Sequence, residues 1–146
     1  MIKMLTDIEK GYLAGIIDGE GWIGICKEKD KRISSGYRLR PILDIGNTNI
    51  EALENIKTLI GEGYIANGQK RERRKEIYML RLSPNTMRWL LPEIVDVMKI
   101  KQKQAILMIE FLKLNKGSLQ YKYRPKEDLQ RMEEIYYELK KLNKKG

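Results

Sequence analysis

The sequence predicts an α+β fold: a four-stranded antiparallel sheet with helices on one face, in the order αββαββα, followed by extra C-terminal helices. Three observations carry this. Segments with apolar residues at helical spacing alternate twice with paired segments of period two. Clusters of glycine, serine and asparagine fall between them, where turns and helix caps are needed. The polar positions of the period-two segments carry arginines and acids, so one face of the sheet is left without a cover from its own chain.

The first helix starts at Thr6, with Glu9 completing a capping box three residues on, and runs to about Gly19. Leu13 and Ile17 form its core stripe, while Gly11, Gly15 and Gly19 line a different face. Over 22–30 the period changes to two. Ile23 and Ile25 point one way; Gly24, Cys26, Glu28 and Asp30 point the other. Ser34-Ser35-Gly36 reads as a turn. In the second strand, which ends at about Ile45, Leu39, Leu43 and Ile45 alternate with Arg38, Arg40 and Asp44.

Asn47-Thr48-Asn49 supplies cap chemistry for a second helix carrying Leu53, Ile56, Leu59 and Ile60 at helical spacing, and Gly61 and Gly63 stop it. A second hairpin covers about 64–68 and 76–82, joined by a basic segment at 70–75. Ser83-Pro84 opens a short helix that Pro92 interrupts or ends. The stretch 101–114 is an amphipathic helix with Ile106, Ile109 and Leu112 among its apolar positions. Pro125 opens a final helix reaching Leu142.

With 146 residues the chain fits a single domain over 1–146, large enough to bury a core. A single cysteine excludes an intrachain disulfide framework and fits a reducing, intracellular setting, either an archaeal or bacterial cytoplasm or an organelle. No apolar run approaches the roughly 18 residues a membrane span needs, so no membrane partner is expected. The absence of histidine removes imidazole acid–base chemistry and leaves carboxylates, lysines and metals. A formal charge of +9 favours a polyanionic partner, nucleic acid first.

Residues 13–21, Leu-Ala-Gly-Ile-Ile-Asp-Gly-Glu-Gly, carry the strongest local signal. Three glycines on one helical face cost about 1 kcal/mol each relative to alanine, and a close-packed partner must offset that cost. The string delivers Glu20 to a helix C-terminus, where a carboxylate gains nothing from the helix dipole. This string resembles the signature of the LAGLIDADG homing endonucleases, with Ile16 for Leu, Gly19 for Ala and Glu20 for Asp. The lysine–glutamine string at 99–105 and the lysine-rich C-terminal tail are similar to the family as well.

The resemblance implies the single-motif, homodimeric subclass: a sequence-specific endonuclease that cuts both strands of a long, nearly palindromic double-stranded DNA site. It implies Mg²⁺ or Mn²⁺ held by Glu20 and the Gly19 backbone carbonyl, with Lys101 near the scissile phosphate. Asn47 stands where the family has a polar residue near the metal-bound water; helix capping explains it equally well. Asp18 lies on a different helical face from Glu20, and a local cap or interface role is expected for it. The twofold mate would pack on Gly11, Tyr12, Gly15, Ile16 and Gly19. Two alternatives stand beside the nuclease: a maturase binding host intron RNA, and a non-cleaving DNA-binding regulator.

The outer sheet face reads as a DNA platform, since a curved sheet can enter the major groove. Arg32, Arg38 and Arg40 are candidates for phosphates or guanines, and Glu28, Asp30, Asp44 and Glu76 for cytosine amino groups. Tyr78 joins them, together with Lys70, Arg71, Arg73, Arg74 and Lys75 at the hairpin tip, where phosphate contact is expected ahead of base readout.

Overall fold

The computed structural model describes residues 4–33, 35–67, 76–115 and 124–144. Nine elements follow the expected order: α1 (Asp7–Glu20), β1 (Gly21–Lys29), β2 (Tyr37–Asn47), α2 (Ile50–Ile60), β3 (Tyr64–Asn67), β4 (Tyr78–Leu82), α3 (Pro84–Ile94), α4 (Gln102–Leu114) and α5 (Lys126–Leu142), with a 3-10 turn at Val95–Val97 after α3. The sheet is antiparallel with strand order β1-β2-β4-β3, so each hairpin keeps its own strands together and the two hairpins meet at β2 and β4.

Cap chemistry sets the helix starts. Thr6 Oγ1 accepts from the Glu9 amide at 3.1 Å while Glu9 Oε1 accepts from the Thr6 amide at 2.9 Å. Asn49 and Ser83 cap α2 and α3 through the amides of Ala52 and Thr86. Gly61 ends α2 at φ +93°, a left-handed conformation that glycine adopts without a side-chain penalty. Pro92 lies inside the last turn of α3. It does not stop the helix at once: two more residues follow before the backbone tightens into the 3-10 turn.

The core lies between the inner sheet face and the helices. Leu13 and Ile17 of α1, Ile23, Leu43, Ile45 and Leu80 of the sheet, Leu53 of α2, Met87 of α3 and Phe111 of α4 are all fully buried. In α4 the expected apolar stripe is shifted. Ala105, Met108, Phe111 and Leu112 face inward, whereas Ile106 is 53% exposed. The buried set fits the 3.6-residue period and Ile106 falls off it.

The long α5 closes the fold against β1. Asn143 Nδ2 donates to the Ile23 carbonyl at 2.8 Å, and Lys27 Nζ meets Glu133 at 3.2 Å while lying over the rings of Tyr37, Tyr136 and Tyr137. The Asn143 bond takes up one backbone carbonyl of β1, a strand at the sheet edge. Arg131 ties α5 to α4 through both carboxylate oxygens of Glu110, at 2.6 and 2.9 Å.

Candidate active site and nucleic-acid face

The end of α1 passes directly into β1, which pairs Gly21 with Ile45 and Trp22 with Asp44. That register sets Glu20 beside the far end of β2. Glu20, Trp22, Asp44, Asn47 and Met79 line one depression there. Glu20 is exposed. Asn47 Oδ1 accepts from the Asn49 amide at 2.8 Å, so Asn47 makes a local turn while Asn49 is the cap of α2. The capping role expected for Asn47 falls to Asn49; Asn47 shapes the turn ahead of the helix and lines the depression. Burial pushes the Asp44 carboxyl up, against the opposing pull of Arg81 and Arg40.

Asp18 is buried and turned away from that depression. Its carboxylate accepts from the Lys99 amide at 2.7 Å and the Lys101 amide at 2.9 Å, which clamps the turn before α4 onto α1. Lys101 Nζ donates in turn to the Asp18 carbonyl at 2.7 Å and lies 3.4 Å from that of Ile17. A cation on the terminal carbonyls of α1 offsets the negative end of its dipole, the position in which Glu20 is otherwise unfavourable. Asp18 is thus off the metal-ligand face, as expected, but in place of a local cap it makes a long-range clamp to residues 81 and 83 positions away. Lys101 sits at the same helix end as Glu20, with its ammonium held on carbonyls of α1. Gly19 is exposed in that last turn.

The glycine face of α1 is open. A Cβ placed on Gly11, Gly15 or Gly19 would meet nothing within 4 Å. Apolar side chains flank the stripe: Met4 is 91% exposed, Ile8 86% and Tyr12 49%. Ile16 differs, being half-buried and packed against the core. Among the described residues, nothing of this chain supplies the close partner that the glycines require.

On the outer sheet face the structure brings together Glu28, Arg38, Arg40 and Asp44, as the alternation predicts. Arg40 Nε donates to Glu28 Oε1 at 2.7 Å, and Arg81 Nε lies 3.7 Å from Asp44 Oδ2. Asp30 and Arg32 are folded on each other in the β1–β2 turn. Asp30 accepts from the Arg32 amide, Nε and Nη2 at 3.0–3.2 Å, and these bonds hold its carboxyl below the usual range.

Tyr78 does not join the outer face, and Glu76 lies ahead of β4, outside the strand alternation. Leu80 and Leu82 are buried, so even-numbered positions of β4 face the helices; Tyr78 packs against the core and its hydroxyl donates to Glu76 at 3.4 Å. Lys70, Arg71, Arg73, Arg74 and Lys75 lie outside the described residues. Sequence reasoning missed Arg81, which pairs in register with both Asp44 and Tyr64. The apolar pair Leu80/Leu82 was the signal that fixes this parity. It also missed Trp22, 42% exposed, whose indole reaches over Gly24 where any Cβ would overlap the ring.

The sequence profile of the LAGLIDADG endonucleases matches residues 13–106, more than half of the chain and spanning the motif, both hairpins and the start of α4. No curated protein is significantly similar in sequence. Among solved structures, the archaeal intron-encoded homing endonuclease I-Vdi141I, complexed with DNA, is 26% identical with a TM-score of 0.77, covering 96% of this chain and 87% of its own. The homing endonuclease I-CvuI, also in complex with a DNA target, is 17% identical with a TM-score of 0.77, covering 95% of this chain and 84% of its own. The homing endonuclease I-TnaI is 18% identical with a TM-score of 0.72, covering 94% of this chain and 97% of its own. At the lower identities the likeness shows the fold alone. With the motif, the sheet and the profile in agreement, the chain belongs to the LAGLIDADG endonuclease family.

Proposed function

We propose that this chain is a sequence-specific DNA endonuclease that acts as a homodimer on a long, nearly palindromic duplex, cutting both strands by hydrolysis with a divalent cation, Mg²⁺ or Mn²⁺. One observation carries the reading: the open glycine face of α1 ends at Glu20, in a depression shared with Asp44 and Asn47. Packing α1 against its twofold mate would fill the open stripe and bring the two Glu20 carboxylates to the dyad. The +9 charge and the arginine-bearing outer face supply the electrostatic attraction to a duplex.

The donor chemistry fits a hard cation, since Glu20, the Gly19 carbonyl and Asn47 all offer oxygen. Among the described residues no group of three or more Asp, Glu, His or Cys side chains could hold a metal within one chain. The ligand set is therefore incomplete in a protomer, as expected where the second protomer and the DNA phosphates supply the rest. A cation bound there would neutralise charge on the phosphodiester and acidify water.

The chain's own residues divide the remaining work. Glu20 binds the cation, Asn47 orients water through its side-chain amide, and Lys101 holds positive charge at the same helix end for the developing phosphorane. The test is a duplex selected by wild-type protein from a randomised library, then incubated with Mg²⁺. Wild type should cut both strands, and Glu20→Gln should bind the same duplex without cutting. Cleavage by the variant would remove Glu20 from this role. Selective binding with no cleavage by wild type would favour the regulator, and selective binding of intron RNA instead of duplex would favour the maturase.

A further inference from the structure

Among the described residues, Arg38, Arg40 and Arg81 of the outer face are held differently. Glu28 stands opposite Arg38 in the β1–β2 register, yet its carboxylate reaches diagonally to Arg40 and accepts from Nε at 2.7 Å. Asp44 stands beside the Nε edge of Arg81 at 3.7 Å, an ion pair beyond hydrogen-bonding distance and so a looser hold than that of Glu28 on Arg40. Arg38 makes no close hydrogen bond or ion pair among the described residues, and its charge acts on Asp30 at longer range.

A guanidinium has two usable edges. Binding at Nε turns the Nη1/Nη2 edge away from the acid, and that edge can give two parallel N–H donors to O6 and N7 of a guanine; at Arg40 the thiol of Cys26, opposite in register, is a second and weaker neighbour. We propose that Glu28 and Asp44 are positioning residues that hold Arg40 and Arg81 for bidentate reading of two guanines in each half-site, while Arg38 contacts phosphate.

This deepens the endonuclease reading and rests on it. The spacing follows from the strand. Arg40 and Asp44 are four residues apart on β2, about 13 Å at the usual strand rise, and Arg81 sits beside Asp44. Duplex DNA rises 3.4 Å per base pair, somewhat more along the groove path, so the two guanines fall about three to four base pairs apart. Asp44 lines the depression that holds Glu20, which places the Arg81 guanine nearer the cleavage centre and the Arg40 guanine further out.

A direct role for the acids, accepting from cytosine amino groups, makes the opposite prediction. If Glu28 reads a base itself, its loss and the loss of Arg40 affect separate preferences and add. If Glu28 positions Arg40, the two losses affect one preference and do not add.

The experiment selects wild-type targets from a randomised duplex library without divalent metal. It then measures binding of Glu28→Ala, Glu28→Gln, Arg40→Ala and the Glu28→Ala/Arg40→Ala double variant to every single-base change of the selected site. Arg40→Ala should relax one guanine per half-site by roughly 5- to 150-fold, the range of a lost bidentate pair. Glu28→Ala should relax the same guanine, the double variant should do no more than Arg40→Ala, and Glu28→Gln, whose amide oxygen still accepts from Nε, should keep most of the preference. Glu28→Ala should also bind unselected duplex more tightly, because it removes a negative charge from the DNA face. A merely structural role for Glu28 would move neither readout. Asp44→Ala and Arg81→Ala should behave in the same way at the inner guanine.

Additive losses at different base pairs, or a selected site without guanines at this spacing, would overturn the proposal while leaving the endonuclease reading intact. Failure of wild type to select any duplex would sink that reading and this proposal with it. Arg40 and Arg81 are exposed and Glu28 and Asp44 partly buried, and thermal melting confirms that each variant remains folded.

Discussion

Replacing Gly15 with leucine separates the two things a glycine on α1 can do. Within the protomer the substitution costs nothing in space, because a Cβ at Gly15 meets no atom within 4 Å. It should gain helix propensity, by about 0.8 kcal/mol for leucine over glycine. In a dimer packed through α1 the sign reverses. Overpacking a close helix contact costs about 1–3 kcal/mol per side chain. The twofold axis applies that twice, so association weakens by about 2–6 kcal/mol, or roughly 30-fold to 25,000-fold in Kd. Gly15→Ala, with one methyl group, should fall between. Sedimentation across a concentration series reads the dimer constant, and urea unfolding well below it reads the protomer alone. Unfolding must be followed at that low concentration because dimerisation itself adds apparent stability. The expected result is a monomer of equal or greater intrinsic stability. A Gly15→Leu protein that still dimerises as wild type would place the interface elsewhere, and a destabilised monomer would mean that the stripe is covered within the chain.

The Asp18 clamp gives a second expectation. Asp18→Ala leaves the amides of Lys99 and Lys101 without their acceptor, and at about 1.5–3 kcal/mol per charged hydrogen bond, less some rehydration, it should cost about 3 kcal/mol. Asp18→Asn keeps one acceptor oxygen and should cost about half as much; a urea midpoint that does not move for either variant would show that the turn is held by other contacts. The Asp44 carboxyl, pushed up by burial, titrates higher folded than unfolded. Its contribution to stability is thus fully present below the unfolded carboxylate pKa and is lost as pH rises through the folded one. Asp44→Asn should accordingly be more stable than wild type at neutral pH, with the advantage shrinking below about pH 4. An advantage that instead grows on acidification would show that the arginines beside Asp44 outweigh its burial.

Much of this architecture is legible along the chain because it is short-range. Thr6 and Glu9 announce the start of α1, and Asn49 and Ser83 those of α2 and α3, through side chains that reach only three residues. Alternation in β1 and β2 separates Ile23, Leu43 and Ile45 from Glu28, Arg40 and Asp44, since successive side chains of a strand must point to opposite faces. The same logic was weaker in β4, a strand of five residues, where Tyr78 was assigned to the wrong face although Leu80 and Leu82 set the parity. Ile106 was misplaced because an apolar side chain on a helix need not lie on the buried stripe.

The motif at 13–21 by itself determined the family, the glycine face and the acid at its end. Only tertiary structure decided what surrounds that acid. Asp18 meets the amides of residues 81 and 83 positions away, and Lys101 returns to the carbonyls of α1 over the same separation. Glu20 shares its depression with Asp44 and Asn47 because the β1–β2 register folds one strand back on the other. Caps and periods are set by neighbours a turn or two apart, and so can be read in order. A site assembled from the end of one helix, the end of a strand and the start of a distant helix depends on how the whole core closes, and no local pattern records that.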